Sequence, residues 1–455
     1  MNCLIGLDIG TSAVKGLLLS ENGQTLAKAG RAFEYIRDGR LFLLDPDRFL
    51  EVCFDVIRTL ADAKRPGDSV TGICPSCASG NLLYLGKDFR PLTRIIGWQS
   101  AIDEAEFETY YTADEAKAVY ETVGWPVLNG FPVTFLPYYT KNERATVEEA
   151  EMVCMSAEYL NYALTGRFAI SPSMATPFYL CDQANGTYAP ALLEKAGLRE
   201  EQLPPICEKG TVLGRVTKEA AEKTGLTEET AVILGSFDHP SCATGAGVYR
   251  EGEVLLSCGT SWVEFFPIGS RERAIQTAYL IDRFMLNGPA YCVMSSIASI
   301  DIRLHEMIRE TLGDVSYDEL SELIAASKMG CGGLRYDFSH PDYSAATAYA
   351  RCDRARAIYE SAALLLRDNL AAAEQKGLGV SSLTMVGGIT NSPVIMQVIA
   401  DVLGRDIRVV NGVSAGAAGA AMLAGIGVGL FRDEKDAFAR CGFEETVYQA
   451  KIGSC

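Results

Sequence analysis

Two Gly-Thr-Ser turns stand at matching places in the two halves of the chain, at residues 10–12 and 259–261. Each turn directly follows an apolar run. A turn of this composition between two strands leaves backbone N–H groups and two hydroxyls in one concave space, which suits phosphate oxygens. One such turn alone is equally typical of an ordinary hairpin. Two of them predict a site that holds a triphosphate from both sides.

Charged residues flank the first turn. Asp8 stands at the end of the first predicted strand, where a carboxylate can hold Mg²⁺ directly or through water. Lys15 lies just beyond the turn and can add a positive point charge. Asp8 is therefore the predicted metal ligand.

A second carboxylate follows another predicted strand, residues 231–234, which ends at Gly235. Phosphoryl transfer to an alcohol needs a carboxylate that orients the hydroxyl and accepts its proton. Asp238 suits that role, and His239 could orient the substrate or Asp238. The alternative is that Asp238 caps a helix over residues 241–248, and the two interpretations are compatible.

Paired glycines, Gly387 and Gly388, follow a predicted buried strand at residues 383–386. A helix is predicted to begin there, with Asn391 or Ser392 as its N-cap. Glycines at such a turn let a flat ring approach the backbone, so adenine or its ribose is the expected ligand. A plain tight turn is the alternative.

The elements that must position these residues follow from local patterns. Strands are predicted over residues 3–7, 14–19 and 25–32, and then a helix capped by Asp45. The helix after the paired glycines is predicted to end at Gly404. This β-β-β-α opening differs from the β-α-β start of a dinucleotide-binding fold.

The turn and its flanks are repeated, since residues 10–14 match residues 259–263 with one mismatch. Duplication of this pattern predicts two facing lobes with a ligand cleft between them. A length of 455 residues also favours two domains. The boundary is predicted near residue 245, and residues 95–230 are predicted to be helices and loops packed on the first lobe.

Composition excludes several classes of protein. A net charge of −17 argues against nucleic acid as a partner. Fourteen cysteines dispersed in a chain without a secretory signal favour free thiols and a cytoplasmic location. Residues 415–431 lack charge but are short and rich in Ala and Gly, which predicts a buried helix and no membrane span. Neither a P-loop nor a G-x-G-x-x-G motif follows a strand.

Together these motifs resemble the FGGY family of carbohydrate kinases over nearly the whole chain. The resemblance rests on the segments around both Gly-Thr-Ser turns, on Asp238 with its flanks, and on the paired glycines with the helices on either side of them. It implies an α/β fold of two actin-like (ribonuclease H-like) domains with an interdomain catalytic cleft. Residues 1–244 would form the N-terminal domain, mainly sugar-binding, and residues 245–455 the C-terminal domain, mainly ATP-binding.

The resemblance also implies roles for individual residues. Asp238 would be the catalytic base and Asp8 the partner of the metal. The residues expected to bind the nucleotide are Gly10, Thr11, Ser12, Lys15, Gly259, Thr260, Ser261, Gly387, Gly388 and Asn391. The residues expected to contact the substrate are Ser79, Gly80, Trp98, Asp238 and His239.

The leading hypothesis is transfer of the γ-phosphate of MgATP to a hydroxyl of a ketose or polyol. The alternative is a nucleotide- and sugar-binding sensor of the same fold, because the turn at Ala78 and Ser79 offers only small side chains to a sugar. ATP and Mg²⁺ are the expected cofactors, and neither nucleic acid nor a membrane is an expected partner. A homodimer is one of the assembly states that the sequence leaves open.

Overall fold

A computed structural model describes residues 1–78, 80–259, 261–340 and 342–451 of the chain. Its strands are β1 (Asn2–Ile9), β2 (Ala13–Ser20), β3 (Thr25–Ala32), β4 (Ile36–Asp38), β5 (Leu41–Leu44), β6 (Ser69–Cys77), β7 (Leu83–Leu85), β8 (Ile95–Ile96), β9 (Met152–Cys154), β10 (Cys181–Asp182), β11 (Thr187–Tyr188), β12 (Val212–Arg215), β13 (Ala231–Ile233), β14 (Glu253–Cys258), β15 (Trp262–Ile268), β16 (Leu280–Arg283), β17 (Tyr291–Ile297), β18 (Ser382–Val386), β19 (Ile407–Val410) and β20 (Glu445–Tyr448). Its α-helices are α1 (Pro46–Asp62), α2 (Glu104–Phe107), α3 (Ala113–Val123), α4 (Pro132–Asn142), α5 (Arg144–Glu149), α6 (Ser156–Thr165), α7 (Pro172–Phe178), α8 (Pro190–Ala196), α9 (Lys218–Thr224), α10 (Asp238–Gly245), α11 (Arg271–Thr277), α12 (Ile300–Leu312), α13 (Tyr317–Ala326), α14 (Arg351–Gln375), α15 (Pro393–Leu403), α16 (Ala415–Gly427) and α17 (Glu434–Cys441).

The first large sheet has the strand order β12-β13-β6-β1-β2-β3. Strands β1 and β2 form an antiparallel hairpin, and β6 lies parallel to β1 on its other side. Helix α1 packs on the hairpin with its apolar face, and Asp45 Oδ1 caps it by accepting from Asp47 N and Arg48 N. The predicted strands and the predicted cap are therefore confirmed.

The second large sheet has the strand order β16-β17-β15-β14-β18-β19-β20. It repeats the arrangement of the first sheet, since β14 and β15 form an antiparallel hairpin and β18 lies parallel to β14. The predicted helix after β18 is α15, which is capped by Ser392 and ends at Gly404 with a φ of +62°. Gly10–Ser12 thus stand at the tip of the first hairpin, and Gly259 and Ser261 flank the tip of the equivalent second one.

Two glycine-lined helices, α10 and α16, cross each other next to the first sheet. A Cβ on Gly419 of α16 would overlap the Ser241 carbonyl, and one on Gly245 of α10 would overlap the Ala415 carbonyl. A Cβ on Gly6 of β1 would overlap the Ala417 carbonyl in the same way. These glycines let the backbones of both helices and the strand come into direct contact.

The segment between β6 and β13 supplies most of the smaller elements. Helices α2 to α9 come from this segment, and its strand β8 completes a three-stranded sheet with β4 and β5 from before α1. The prediction of helices and loops for residues 95–230 is correct for the helices α2 to α9 but missed the short strands β8 to β12, of which β12 forms an edge of the first large sheet.

The uncharged segment at residues 415–431 begins with α16. This helix is buried along most of its length against the first sheet, as predicted. Among the described residues, no helix combines the length and the apolar character that a membrane crossing requires.

Candidate active site

The first Gly-Thr-Ser turn joins β1 to β2. Gly10 N–H donates to the Ala13 carbonyl at 2.9 Å, which closes the turn. Thr11 Oγ1 accepts a hydrogen bond from the Trp98 indole N–H at 2.9 Å, and the Ser12 side chain is exposed. The structure thus brings this turn into contact with Trp98, which was predicted from the resemblance to contact the substrate.

Asp8 lies near the end of β1, opposite Lys15 in the antiparallel register. Its carboxylate faces the first turn of α16, where a Cβ on Gly416 would lie 2.6 Å from Asp8 Oδ2. Burial and the negative charge of Asp238 raise the pKa of Asp8 to about 7, while Lys15 acts in the opposite direction. A cation bound here would favour the ionised form of Asp8.

Asp238 is the first residue of α10, and Phe237 stands at the N-cap position before it. The Asp238 side chain is 20% exposed, so a ligand can reach it. Its Oδ1 accepts from His239 N at 2.7 Å, and His239 Nε2 lies 3.8 Å from the same oxygen. The alternative that Asp238 caps this helix is therefore wrong, and the helix begins three residues earlier than residue 241.

The start of α16 connects the carboxylates to the second lobe. Ser241 Oγ of α10 donates to the Gly416 carbonyl at 2.9 Å, directly beside Asp8. Four residues earlier in the chain, the Gly412 carbonyl accepts from Gly387 N at 3.4 Å. One short stretch of backbone therefore lies against Asp8, the helix of Asp238 and the paired glycines.

The second Gly-Thr-Ser turn lies beside those paired glycines. Gly387 has a φ of +105°, and a Cβ on it would overlap the Cys258 carbonyl, so only glycine fits there. A Cβ on Gly259 or Gly388 would meet no atom within 4 Å. Both of these glycines therefore border open space that a ligand can fill.

Two further predicted nucleotide residues lie close to that space. Ser261 Oγ accepts from Ser299 N at 3.1 Å, just before α12. Asn391 is exposed at the end of a short 3₁₀ turn over Gly388–Asn391. The predictions for Ser79 and Thr260 fall on positions outside the described residues.

An aromatic wall, Trp98, Phe131, Trp125, Phe237 and His239, runs from the first turn to Asp238. Neighbouring rings along it have centroids 5.2 to 5.9 Å apart. Aromatic faces suit the C–H surfaces of small polyhydroxyl compounds, and the His239 imidazole offers a polar contact, while the Trp98 indole N–H is already donated to Thr11.

Sequence reasoning missed Phe131 and Trp125 in this wall. Both lie in the irregular segment, where no periodicity assigns a side chain to a face. A usable signal was the rarity of tryptophan, of which the chain has 3.

Gly80 packs against the Phe131 ring of this wall. It has a φ of +83°, and a Cβ on it would overlap the Phe131 ring. Gly80 is therefore buried against Phe131 and next to Trp98, and the role of Gly80, Trp98 and His239 in contacting the substrate stays a prediction.

Comparison with known proteins adds independent findings. Residues 3–245 match the N-terminal domain of the FGGY family of carbohydrate kinases, and residues 342–428 match the C-terminal domain of that family. An autoinducer-2 kinase of Klebsiella pneumoniae is 27% identical over 466 residues, which cover 95% of this chain and 87% of that protein.

Solved structures with the same fold include kinases of different sugars. A ligand-bound xylulose kinase from Lactobacillus acidophilus superposes with a TM-score of 0.86 at 19% identity, covering 99% of this chain and 94% of the other. A gluconate kinase from the same organism has a TM-score of 0.86 at 20% identity, with 99% and 94% coverage.

Proposed function

Because the chain belongs to the FGGY family of carbohydrate kinases, we propose that it transfers the γ-phosphate of MgATP to a hydroxyl of a ketose or polyol, with Asp238 as the general base. The chain is an ATP-dependent sugar kinase with two actin-like domains. The observation that carries the more specific proposal is the meeting of Asp8, Asp238 and the paired glycines around the start of α16.

In this reaction, Asp238 accepts one proton. The substrate hydroxyl donates to the Asp238 carboxylate, which takes its proton as the hydroxyl oxygen attacks the γ-phosphorus. The bond between the γ-phosphorus and the oxygen that bridges to the β-phosphate breaks, and ADP leaves. Backbone N–H groups that follow Gly10 in the first turn hold phosphate oxygens during transfer, since Gly10 N itself donates to the Ala13 carbonyl.

Asp8 fits the role of a magnesium ligand. Its carboxylate lies within the electrostatic influence of Asp238, and Lys15 acts on it as a positive charge, so a divalent cation would offset the negative charge of the two carboxylates. Mg²⁺, when bound, neutralises charge on the phosphate oxygens. It usually keeps several waters and takes few protein ligands, which one carboxylate satisfies.

The two lobes have separate tasks in this proposal. Residues 1–244 bind mainly the sugar, because the aromatic wall comes entirely from that part of the chain. Residues 245–455 bind mainly ATP, because the open glycines Gly259 and Gly388 belong to it. The cysteines of the described residues are free thiols, which supports a cytoplasmic location.

A coupled assay of ADP release across pentuloses, hexuloses, polyols, gluconate and autoinducer-2 tests the proposal. The panel includes the compounds in the names of the relatives, and we expect at least one to give saturable, substrate-dependent ADP release. Isothermal titration with MgATP and the same panel is the companion measurement. Binding of both ligands without any ADP release would overturn the proposal and favour a sensor.

A further inference from the structure

The peptide unit between Ser236 and Phe237, directly before Asp238, is hydrogen-bonded from two sides. Its carbonyl accepts from Cys77 N at 3.3 Å and from Ser76 Oγ at 3.2 Å, both on β6. Its N–H donates to Ser173 Oγ of α7 at 3.2 Å. The orientation of this peptide sets where the Asp238 backbone starts.

Ser173 is in turn held by the second lobe. Its hydroxyl donates to Asp282 Oδ2 at 2.8 Å, and Asp282 lies on β16 of the second sheet. The other carboxylate oxygen, Asp282 Oδ1, accepts from Arg283 N at 2.7 Å. Ser173 and Asp282 are 1% and 0% exposed, so water does not compete for these bonds.

Strand β16 is an edge strand, and residues of the first lobe cover its free edge. Ile281 N donates to the Gly124 carbonyl at 2.9 Å, and the Ile281 carbonyl accepts from Gln183 Nε2 at 2.8 Å. The Tyr279 carbonyl accepts from Tyr120 Oη at 2.9 Å. The Ser173–Asp282 bond is thus part of an interlobe seam, and its serine also touches the peptide before Asp238.

We propose that Asp282 and Ser173 are positioning residues for Asp238. Through these two residues, the second lobe fixes the orientation of the base in the first lobe. Asp282 orients the Ser173 hydroxyl, and the Ser173 oxygen holds the N–H of Phe237. This inference rests on the proposed function, since it needs Asp238 to act as the base.

A buried polar contact at this place costs desolvation that an apolar pair would avoid. A role in positioning Asp238 explains why this buried hydrogen bond is useful, because a displacement of about 1 Å at a catalytic group can lower turnover about 100-fold.

The hydrogen-bonded chain from Asp282 through Ser173 to the N–H of Phe237 is called the relay below. Three variants test it: Ser173→Ala, Asp282→Asn and the double variant. We expect Ser173→Ala to lower kcat about 10- to 100-fold, with KM for ATP and for the sugar changed less than about threefold. Asp282→Asn should lower kcat less, because the shorter relay through Ser173 and Phe237 remains. The double variant should lose no more than Ser173→Ala, because Asp282 acts through Ser173.

Ser171→Ala is the matched control. Ser171 caps the same helix, is buried, and accepts from Met174 N without bonding to Phe237 or Asp282. It should lower the melting temperature about as much as Ser173→Ala while keeping kcat. A kcat loss equal to that of Ser173→Ala, or full additivity in the double variant, would overturn the relay.

Failure of the relay is distinguishable from failure of the proposed function. If Asp238→Asn abolishes turnover while Ser173→Ala keeps the parent kcat, the relay is wrong and the base assignment stands. If Asp238→Asn itself keeps the parent kcat, Asp238 is not the base and the relay has no target.

Discussion

At the scale of single residues, two carboxylates dominate the site. Asp8 and Asp238 come from different elements, yet the charge of Asp238 contributes to the raised pKa of Asp8. The surroundings of the two carboxylates differ: Asp8 faces the start of α16, and Asp238 stands at the end of the aromatic wall. Their positions predict one metal ligand and one base.

Asp238→Asn should lower kcat by about 10³-fold or more, because an amide cannot accept the proton of the substrate hydroxyl. The affinity for ATP should change little, since the residue faces the substrate side. Turnover by the coupled ADP assay and nucleotide affinity by calorimetry check both parts. Asp38→Asn, on exposed β4, is the control, and near-parent turnover of the Asp238 variant would refute the assigned role.

Glu158 offers a test of buried charge away from the reaction. It is 1% exposed, accepts from Met155 N, and burial raises the pKa of its carboxyl to about 8. The folded state therefore binds more protons than the unfolded state between about pH 4.5 and 8, so this group lowers stability as pH rises through that range.

Glu158→Gln keeps an acceptor for Met155 N and removes the titration. We expect its stability relative to the parent to rise with pH from 6 to 8, by at most about 1.4 kcal/mol per pH unit. Urea unfolding at several pH values measures this trend. The exposed Glu149→Gln should show no such trend, and a parallel response of both variants would contradict the explanation.

At the scale of elements, the crossing of α10 and α16 positions the site. Gly419 and Gly245 allow backbone contact between the helices, and the same helices carry Asp238 and the residue that faces Asp8. A glycine inside a helix usually costs about 1 kcal/mol relative to alanine. Here the close approach outweighs that preference.

Gly419→Ala should therefore lower the free energy of unfolding by about 1–3 kcal/mol, because the new Cβ would overlap the Ser241 carbonyl. Ala325→Gly, at an exposed position of α13, is the reciprocal control and should lower stability by about 1 kcal/mol through helix propensity alone. Chemical denaturation measures both. A gain in stability for Gly419→Ala would show that the helices separate at little cost.

The sequence could predict the elements whose signals are local. The hairpins, the cap at Asp45, the cap at Ser392 and the glycines at the turns all follow from a few neighbouring residues. The start of α10 could not be predicted, because Phe237 at the N-cap position makes no side-chain capping hydrogen bond. The N–H of Phe237 instead donates to Ser173, which is far away in the chain.

The same reason explains why some residues of the site could not be predicted from the sequence. Phe131 and Trp125 reach the wall from the irregular segment, and Asp282 reaches Ser173 across the two lobes. Such contacts depend on the packing of segments more than 30 residues apart. No spacing along the chain encodes them.

At the scale of the whole molecule, the proposed site is divided between lobes. The aromatic wall belongs to the first lobe, and the open glycines Gly259 and Gly388 belong to the second. A sugar and MgATP that bridge these surfaces would hold the lobes together. Closure of this kind excludes water and so suppresses ATP hydrolysis.

Small-angle scattering should show a smaller radius of gyration with MgATP and substrate together than with either alone. Asp238→Asn is a suitable protein for this measurement, because it should bind both ligands without consuming them. Ser173→Ala should still close, since the rest of the seam remains. No change in the radius of gyration with both ligands would argue against closure.

The place of α16 has a consequence for biosynthesis. This helix packs on β1, yet it is translated only after the strands of the second sheet from β14 to β19. At typical rates of about 5–20 residues per second, a nascent first lobe waits roughly 10 to 40 seconds for its last helix. Until then the face of β1 at Gly6, which α16 covers in the folded protein, lacks its partner.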